Sequence, residues 1–211
     1  MCGRAYFTFT EELEMRAFDR NPLRLDFENN YNLAPTEDIP LLSFDSNQNN
    51  FKLELGYWWL MPPWVKKIDP KKAGYTFNAR GETFLQKNGF KESALKRRCE
   101  VILSGFIEWR YLNKKEKQPY VIRHADKSPV TLAGIYSICD GRKTVSIVTV
   151  KANKLMRDIH NRWRFDKNKE PRMPLILTDA DRVKWHDATF NNSDTLQKLI
   201  DSYHESNNFH L

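Results

Sequence analysis

The sequence predicts one α+β domain, built on a bent, mainly antiparallel β-sheet that curls into a barrel-like core with peripheral helices. Three observations predict it. Five β-rich runs follow one another between residues 100 and 150, separated by Lys, Asn, Asp and Gly turns. The helical patterns are short and lie outside that block. The 211 residues, 40% hydrophobic and 13% aromatic, suit a single core, and no repeat or linker divides them. One domain is therefore expected over 1–211, with a basic loop at 162–171 and a helical tail at 178–211.

Taken in order, residues 4–9 alternate as a strand does, and Thr8-Phe9-Thr10-Glu11 fits a capping box opening a short helix to Phe18. Asn21-Pro22 ends that helix. Tyr31-Asn32-Leu33-Ala34-Pro35 is extended, because the residue before a proline avoids the helical region. Residues 39–44 and 52–58 predict a hairpin across the polar turn 45–50. The stretch 60–72 holds three prolines and four lysines and predicts a loop. Residues 75–79 are extended, and 81–98 are expected to be largely helical, with an interruption near Asn88-Gly89.

The β block comprises 100–105, 106–111, 119–124, 130–138 and 143–150. Within it Val145-Ser146-Ile147-Val148 is almost continuously apolar, as a strand covered on both faces would be. A helical turn at 153–159, the charged loop 162–171 and a strand at 174–177 come next. Thr178-Asp179-Ala180-Asp181 then caps a helix, and Leu196, Leu199, Ile200 and Tyr203 form the apolar stripe of a last one.

The charge balance is +7, from 34 Lys and Arg against 27 Asp and Glu. The cations cluster (Lys66, Lys67, Lys71, Lys72; Lys91, Lys96, Arg97, Arg98; Lys114, Lys115, Lys117; Arg157, Arg162, Arg164, Lys167, Lys169, Arg172), and Trp58, Trp59, Trp64, Trp109, Tyr111 and Trp163 interleave with them. A polyanion with stackable bases, single-stranded nucleic acid, suits that mixture. A plain solvated basic face is the alternative. No apolar run reaches the ~18 residues of a membrane-spanning helix, and the first residues lack a signal-peptide plan. Three cysteines, Cys2, Cys99 and Cys139, make neither a disulfide framework nor a CxxC pair. The expectation is a cytoplasmic protein with no metal and no cofactor, in which Cys99 is a buried strand thiol.

Four residues carry candidate chemistry. Removal of Met1 would leave Cys2 with an α-amine and a thiol on one carbon. Free, these titrate near about 8 and about 8.5, so both are partly nucleophilic at neutral pH. Together they can close a five-membered ring on one aldehyde carbon. Asn78 stands at a strand-to-helix junction, as a polar site residue or a helix cap. Glu108 sits among Gly105-Phe106-Ile107 and Trp109, as a buried proton carrier or a solvent-facing residue. His160 precedes the basic loop, as an acid–base group or an exposed loop residue; His124, His186, His204 and His210 are less well situated.

In combination, Met1-Cys2-Gly3-Arg4, Asn32-Leu33-Ala34-Pro35, Asn78-Ala79-Arg80-Gly81-Glu82-Thr83, Gly105-Phe106-Ile107-Glu108-Trp109 and Ile159-His160-Asn161-Arg162 resemble, in order, the motifs of the SOS response-associated peptidase (SRAP) family. The resemblance implies crosslinking to abasic sites in single-stranded DNA during the DNA damage (SOS) response. The Cys2 amine would form a Schiff base with the sugar aldehyde, and the thiol would close a thiazolidine. It further implies that Asn78 positions Cys2, that Glu108 moves protons and that His160 assists sugar-ring opening. Arg4, Pro35, Trp64, Arg80 and Arg162 make up the implied DNA-facing set. The implied partner is single-stranded DNA bearing abasic sites, with duplex on one side at most, bound by a monomer away from membranes. A thiol peptidase using Cys2 is the second reading, and a passive single-strand-binding module the third. Two departures stand out. The family's histidine is commonly followed almost at once by Arg-Met-Pro, whereas here 162–171 intervenes before Arg172-Met173-Pro174. A Pro-Val-Ser-type segment near the C-terminus is missing, so a closing strand is expected to be absent or replaced.

Overall fold

The computed structural model describes residues 3–8, 28–45 and 50–206. Cys2 and the helix expected to run to Phe18 lie outside the described residues. Two sheets build the domain. The smaller is antiparallel, with β2 (Asn30–Leu33), β1 (Ala5–Phe7), β7 (Gly105–Tyr111) and β8 (Lys117–Ile122) side by side.

In the larger sheet β10 (Arg142–Lys151) neighbours β4 (Asn50–Tyr57), followed by β3 (Asp38–Asp45), β6 (Arg98–Leu103) and β9 (Val130–Cys139). Strand β9 then pairs back onto β10 over Arg142↔Cys139 to Ile147↔Gly134, so the ring closes. Closure leaves those strands no open edge to pair with a foreign chain. The expected bent, barrel-like sheet is thus present, antiparallel except where β10 runs parallel to β4 and to β5 (Asn78–Arg80).

Strand β10 is central because it is apolar on both faces: Val145, Ile147, Val148 and Val150 are all buried. Its contact with β4 is a single pair, Thr144↔Tyr57. Beyond that pair β5 takes over the same edge at Ile147↔Asn78, Val148↔Ala79 and Thr149↔Arg80. On the other edge β11 (Arg172–Pro174) succeeds β9 over Thr149↔Pro174 to Lys151↔Arg172. Pairing therefore begins two residues before the expected 174–177, which continues as the single bridge Leu132↔Ile176.

Two helical expectations need correction. The stretch 60–72 is not all loop: α1 (Pro70–Ala73) forms where Asp69 accepts from the Lys71 N–H at 3.0 Å and Pro70 opens the turn. Asn88-Gly89 does not interrupt a helix over 81–98 but opens the helix α2 (Asn88–Lys96), preceded only by a 3-10 turn at Phe84–Gln86. Gly89 lies close under Trp64, where a Cβ would stand 3.3 Å from Cη2 and the ring would have to give by a few tenths of an ångström.

Further along, α3 (Lys154–Ile159) is capped by Asn153, whose side chain accepts from the Met156 N–H at 2.9 Å. The tail forms α4 (Asp179–His186), with the expected capping box between Thr178 and Asp181, and α5 (Ser193–Ser206). The stripe Leu196, Leu199, Ile200 and Tyr203 is buried, and Ile200 lies against Gly81, so helix packs beside the 78–83 segment.

Arg98 joins the tail to the sheet. Its guanidinium donates to Trp185 O (2.6 Å) and Asp187 O (2.8 Å) at the end of α4, to Phe190 O (2.9 Å), and to Ala94 O (3.2 Å) near the end of α2. These carbonyls lie at helix ends, where the helix offers no donor. Beside it, buried Glu100 accepts from Arg182 at 2.9 Å and meets His186 Nε2 at 3.1 Å. Arg98→Ala is predicted to lower unfolding stability by about 2–4 kcal/mol in urea titration, with Arg98→Lys recovering only part. A loss below about 0.5 kcal/mol would contradict this role.

Candidate active site

Glu108 is buried because of where β7 lies. Along β7 Phe106 and Glu108 turn inward while Ile107 and Trp109 are half-buried, and Glu108 is 3% exposed. The partner strand β1 pairs through Ala5↔Phe106 and Tyr6↔Gly105, and the Ile107 N–H donates to Arg4 O at 2.9 Å. Continuing that register sets Gly3 opposite Glu108. Gly105 permits the crossing, since a Cβ there would lie 2.6 Å from Ile122 O and 2.6 Å from the Tyr6 ring.

Asn78 is 9% exposed, the first residue of β5, on the edge of β10. It is a strand residue, and the N-caps of the described helices are other residues. The approach to it is fixed by Trp58 Nε1–H donating to Phe77 O (3.0 Å), Ile147 N–H to Phe77 O (3.1 Å) and Thr76 Oγ1–H to Leu60 O (2.6 Å).

His160 ends α3, its N–H donating to Met156 O at 2.7 Å. Its Nδ1 lies 2.9 Å from Arg172 O and 3.2 Å from Arg172 N. The ten residues of 162–171 therefore leave and return without parting His160 from the Arg-Met-Pro run. Nδ1 either donates to that carbonyl or accepts from that N–H, according to the ring tautomer, so the Arg172 backbone holds the ring at this nitrogen in either case. Burial pushes the imidazole below its ordinary pKa; the negative charge of Glu108 and the Arg172 carbonyl bond oppose that push, while Arg162 adds to it. Glu108 and His160 thus sit within each other's electrostatic reach.

The implied DNA-facing residues are more dispersed. The Arg4 guanidinium donates to Asn32 Oδ1 at 3.2 Å, which links the first and second motifs. Pro35 stands in a tight turn in which Ala34 N–H donates to Glu37 Oε2 (2.6 Å) and Thr36 holds φ +85. A β-branched residue rarely adopts that backbone, and here the Thr36 N–H donating to Trp58 O (3.1 Å) helps to hold it. Arg80 is exposed, 4.0 Å from Glu170. Trp64, 59% exposed, lies on a separate loop against Pro62 and Gly89. Arg162 is exposed, its Cζ 5.8 Å from the centre of the Tyr111 ring.

Three residues escaped the sequence reading. Arg172 is 1% exposed; its guanidinium donates to Glu82 Oε2 (2.6 Å), Thr149 O (2.8 Å) and Glu170 (3.3 Å). Glu82, in the Asn78 motif, is thereby tied to the strand that holds His160. Buried Asn161 accepts from the Tyr111 N–H at 2.7 Å and donates to Tyr111 O at 2.9 Å, which clamps the residue after His160 onto the strand of Glu108. The available signal was the opposite charge of Glu82 and Arg172 in two separate motifs, and the amide adjoining His160.

The family model for "SOS response associated peptidase (SRAP)" matches residues 1–211. The abasic site processing protein YoqW of Bacillus subtilis is 32% identical over 212 residues, covering 96% of this chain and 88% of that one. The abasic site processing protein HMCES of Xenopus tropicalis is 32% identical over 193 residues, covering 76% of this chain and 54% of that longer one. A crystal structure of a protein from Bacteroides thetaiotaomicron superposes with a TM-score of 0.68 at 27% identity, over 82% of this chain and 73% of that one. The chain belongs to the SRAP family.

Proposed function

We propose that the chain captures abasic sites in single-stranded DNA as a covalent adduct at Cys2. The observation that carries this reading is the β1–β7 ladder, in which Ile107 N–H donates to Arg4 O at 2.9 Å. Cys2 is one Cα step, about 3.8 Å, before Gly3, whose register position faces Glu108. The names of the relatives, abasic site processing proteins, support the same lesion.

The chemistry follows from the groups assigned. With Met1 removed, the Cys2 amine adds to the sugar aldehyde carbon to give a carbinolamine. Glu108 takes a proton from the nitrogen and delivers one to the departing hydroxyl, so water leaves and the imine forms. The Cys2 thiol then adds across the C=N bond, sulfur to carbon and the thiol proton to nitrogen. Ring closure removes the imine that would otherwise promote strand cleavage or hydrolyse. Asn78 orients the nucleophile. His160, neutral at pH 7 because burial disfavours its cation, takes the proton of the sugar 1-hydroxyl and hands one to the ring oxygen as the bond from C1 to that oxygen breaks, giving the open aldehyde and a free hydroxyl. Arg4 and Arg80 hold phosphates, and Pro35 and Trp64 abut the strand at the lesion.

Two predictions test this. The protein should form a heat-stable adduct with an abasic single-stranded oligonucleotide on denaturing gels. Cys2→Ala should leave only adduct that needs a reductant to survive, and retention of Met1 should abolish it. An unchanged yield after Cys2→Ala, or equal adduct with undamaged DNA, would overturn the reading. Activity on a peptide that survives blocking of the amine would favour the thiol peptidase. The second prediction concerns pH. The ratio of wild-type to His160→Gln crosslinking rates should decline toward unity as pH falls, with a midpoint below the ordinary imidazole value of about 6.5, because burial lowers the pKa of the base. A ratio that already collapses above pH 7 would contradict a neutral His160.

A further inference from the structure

Resting on that reading, we infer that the 162–171 insertion and the end of α3 form a stacking and phosphate-binding rim for the single strand flanking the lesion. The insertion bridges the two halves of the site. At its start Asn161 is clamped to Tyr111, three residues beyond Glu108. At its end Glu170 lies 4.0 Å from Arg80, two residues beyond Asn78, and Pro171 O accepts from the Ala152 N–H at 3.1 Å.

The segment between is ordered by its own turns. Phe165 N–H (2.9 Å) and Asp166 N–H (3.0 Å) donate to Arg162 O, Lys169 N–H donates to Asp166 O (2.9 Å), and Asn168 N–H donates to Asp166 Oδ1 (3.1 Å). On this frame aromatic rings and guanidinium groups alternate. Trp163 has Arg157 Cζ at 5.3 Å and Arg164 Cζ at 5.5 Å from its ring centre, and its indole N–H donates to Arg157 O at 3.3 Å. Tyr111 has Arg162 Cζ at 5.8 Å and the Phe165 ring at 6.3 Å. Arg164 also pairs with Asp158 at 2.8 Å.

A guanidinium drawn to a ring by its charge still has N–H donors for a second partner, and a phosphate matches them; Arg164 would give up its Asp158 contact to take one. Rings beside such groups can stack only bases that are already unpaired, so the surface selects single-stranded DNA over duplex. Arg157, Arg162 and Arg164 are assigned to the phosphates of the flank, and Trp163 and Phe165 to its bases.

Binding of an undamaged, dye-labelled single-stranded oligonucleotide, read by fluorescence anisotropy, tests the surface without any crosslink. Trp163→Ala should weaken it about five- to tenfold, with Trp163→Phe restoring most of the affinity and a duplex of equal length unaffected. The double variant Arg157→Gln, Arg164→Gln should reduce the slope of log K against log salt by about 1.4. Affinities within twofold of wild type and an unchanged slope would overturn the proposal, as would equal weakening toward duplex. A normal Cys2-dependent adduct with unaltered binding would remove this surface and leave capture standing. The Trp163 effect without any Cys2-dependent adduct would do the reverse.

Discussion

The pairing of β10 is the constraint on which the rest depends. Each edge of this strand is shared by two partners in succession, β9 then β11 on one side and β4 then β5 on the other. Its first half closes the barrel, and its second half carries the site. Thr149 pairs with Arg80 on one edge and Pro174 on the other, so the Asn78 strand and the strand behind His160 are held against the same residues. Burial of Val145, Ile147, Val148 and Val150 is what keeps the strand there, and Ile147 and Val148 pair directly with Asn78 and Ala79.

The polar side chains around His160 form a second layer of constraint. Arg172 is fully buried yet charged, and removal from water is tolerable only because Glu82, Glu170 and the Thr149 carbonyl surround it. In return its backbone N–H and carbonyl both lie against Nδ1 of His160, which fixes where the ring sits. Asn161 performs the matching task toward β7. His160 ends a helix, yet Arg172 of β11 holds its ring and Asn161, the next residue, is fastened to β7. The candidate site is thus organised by the chain's own hydrogen bonds.

Much of this was legible in the sequence, and the failures have physical causes. The strands of the 100–150 block, the capping box at Thr178 and the stripe ending at Tyr203 depend on local pattern, and they appear where the pattern sets them. Gly89 misled because glycine ordinarily disfavours a helix interior, whereas here it stands in the first turn, close under the Trp64 ring. The parallel docking of β5 on β10 involves residues about 70 apart, and nothing in a three-residue segment announces its partner. Arg172 read as part of a basic surface because the carboxylate that accepts it, Glu82, lies 90 positions away. The ordered motifs carried the candidate site, while the clamps that hold it together are long-range.

The central claim is that amine and thiol of one residue both bond to the lesion. Intact-mass spectrometry of the adduct, before and after borohydride, tests this most directly. The account predicts a mass equal to the chain without Met1 plus the oligonucleotide minus one water, unchanged by borohydride and mapping to the peptide that begins at Cys2. A gain of two hydrogens on reduction would reveal an open imine, and attachment at any other residue would place the chemistry elsewhere; either result would contradict it.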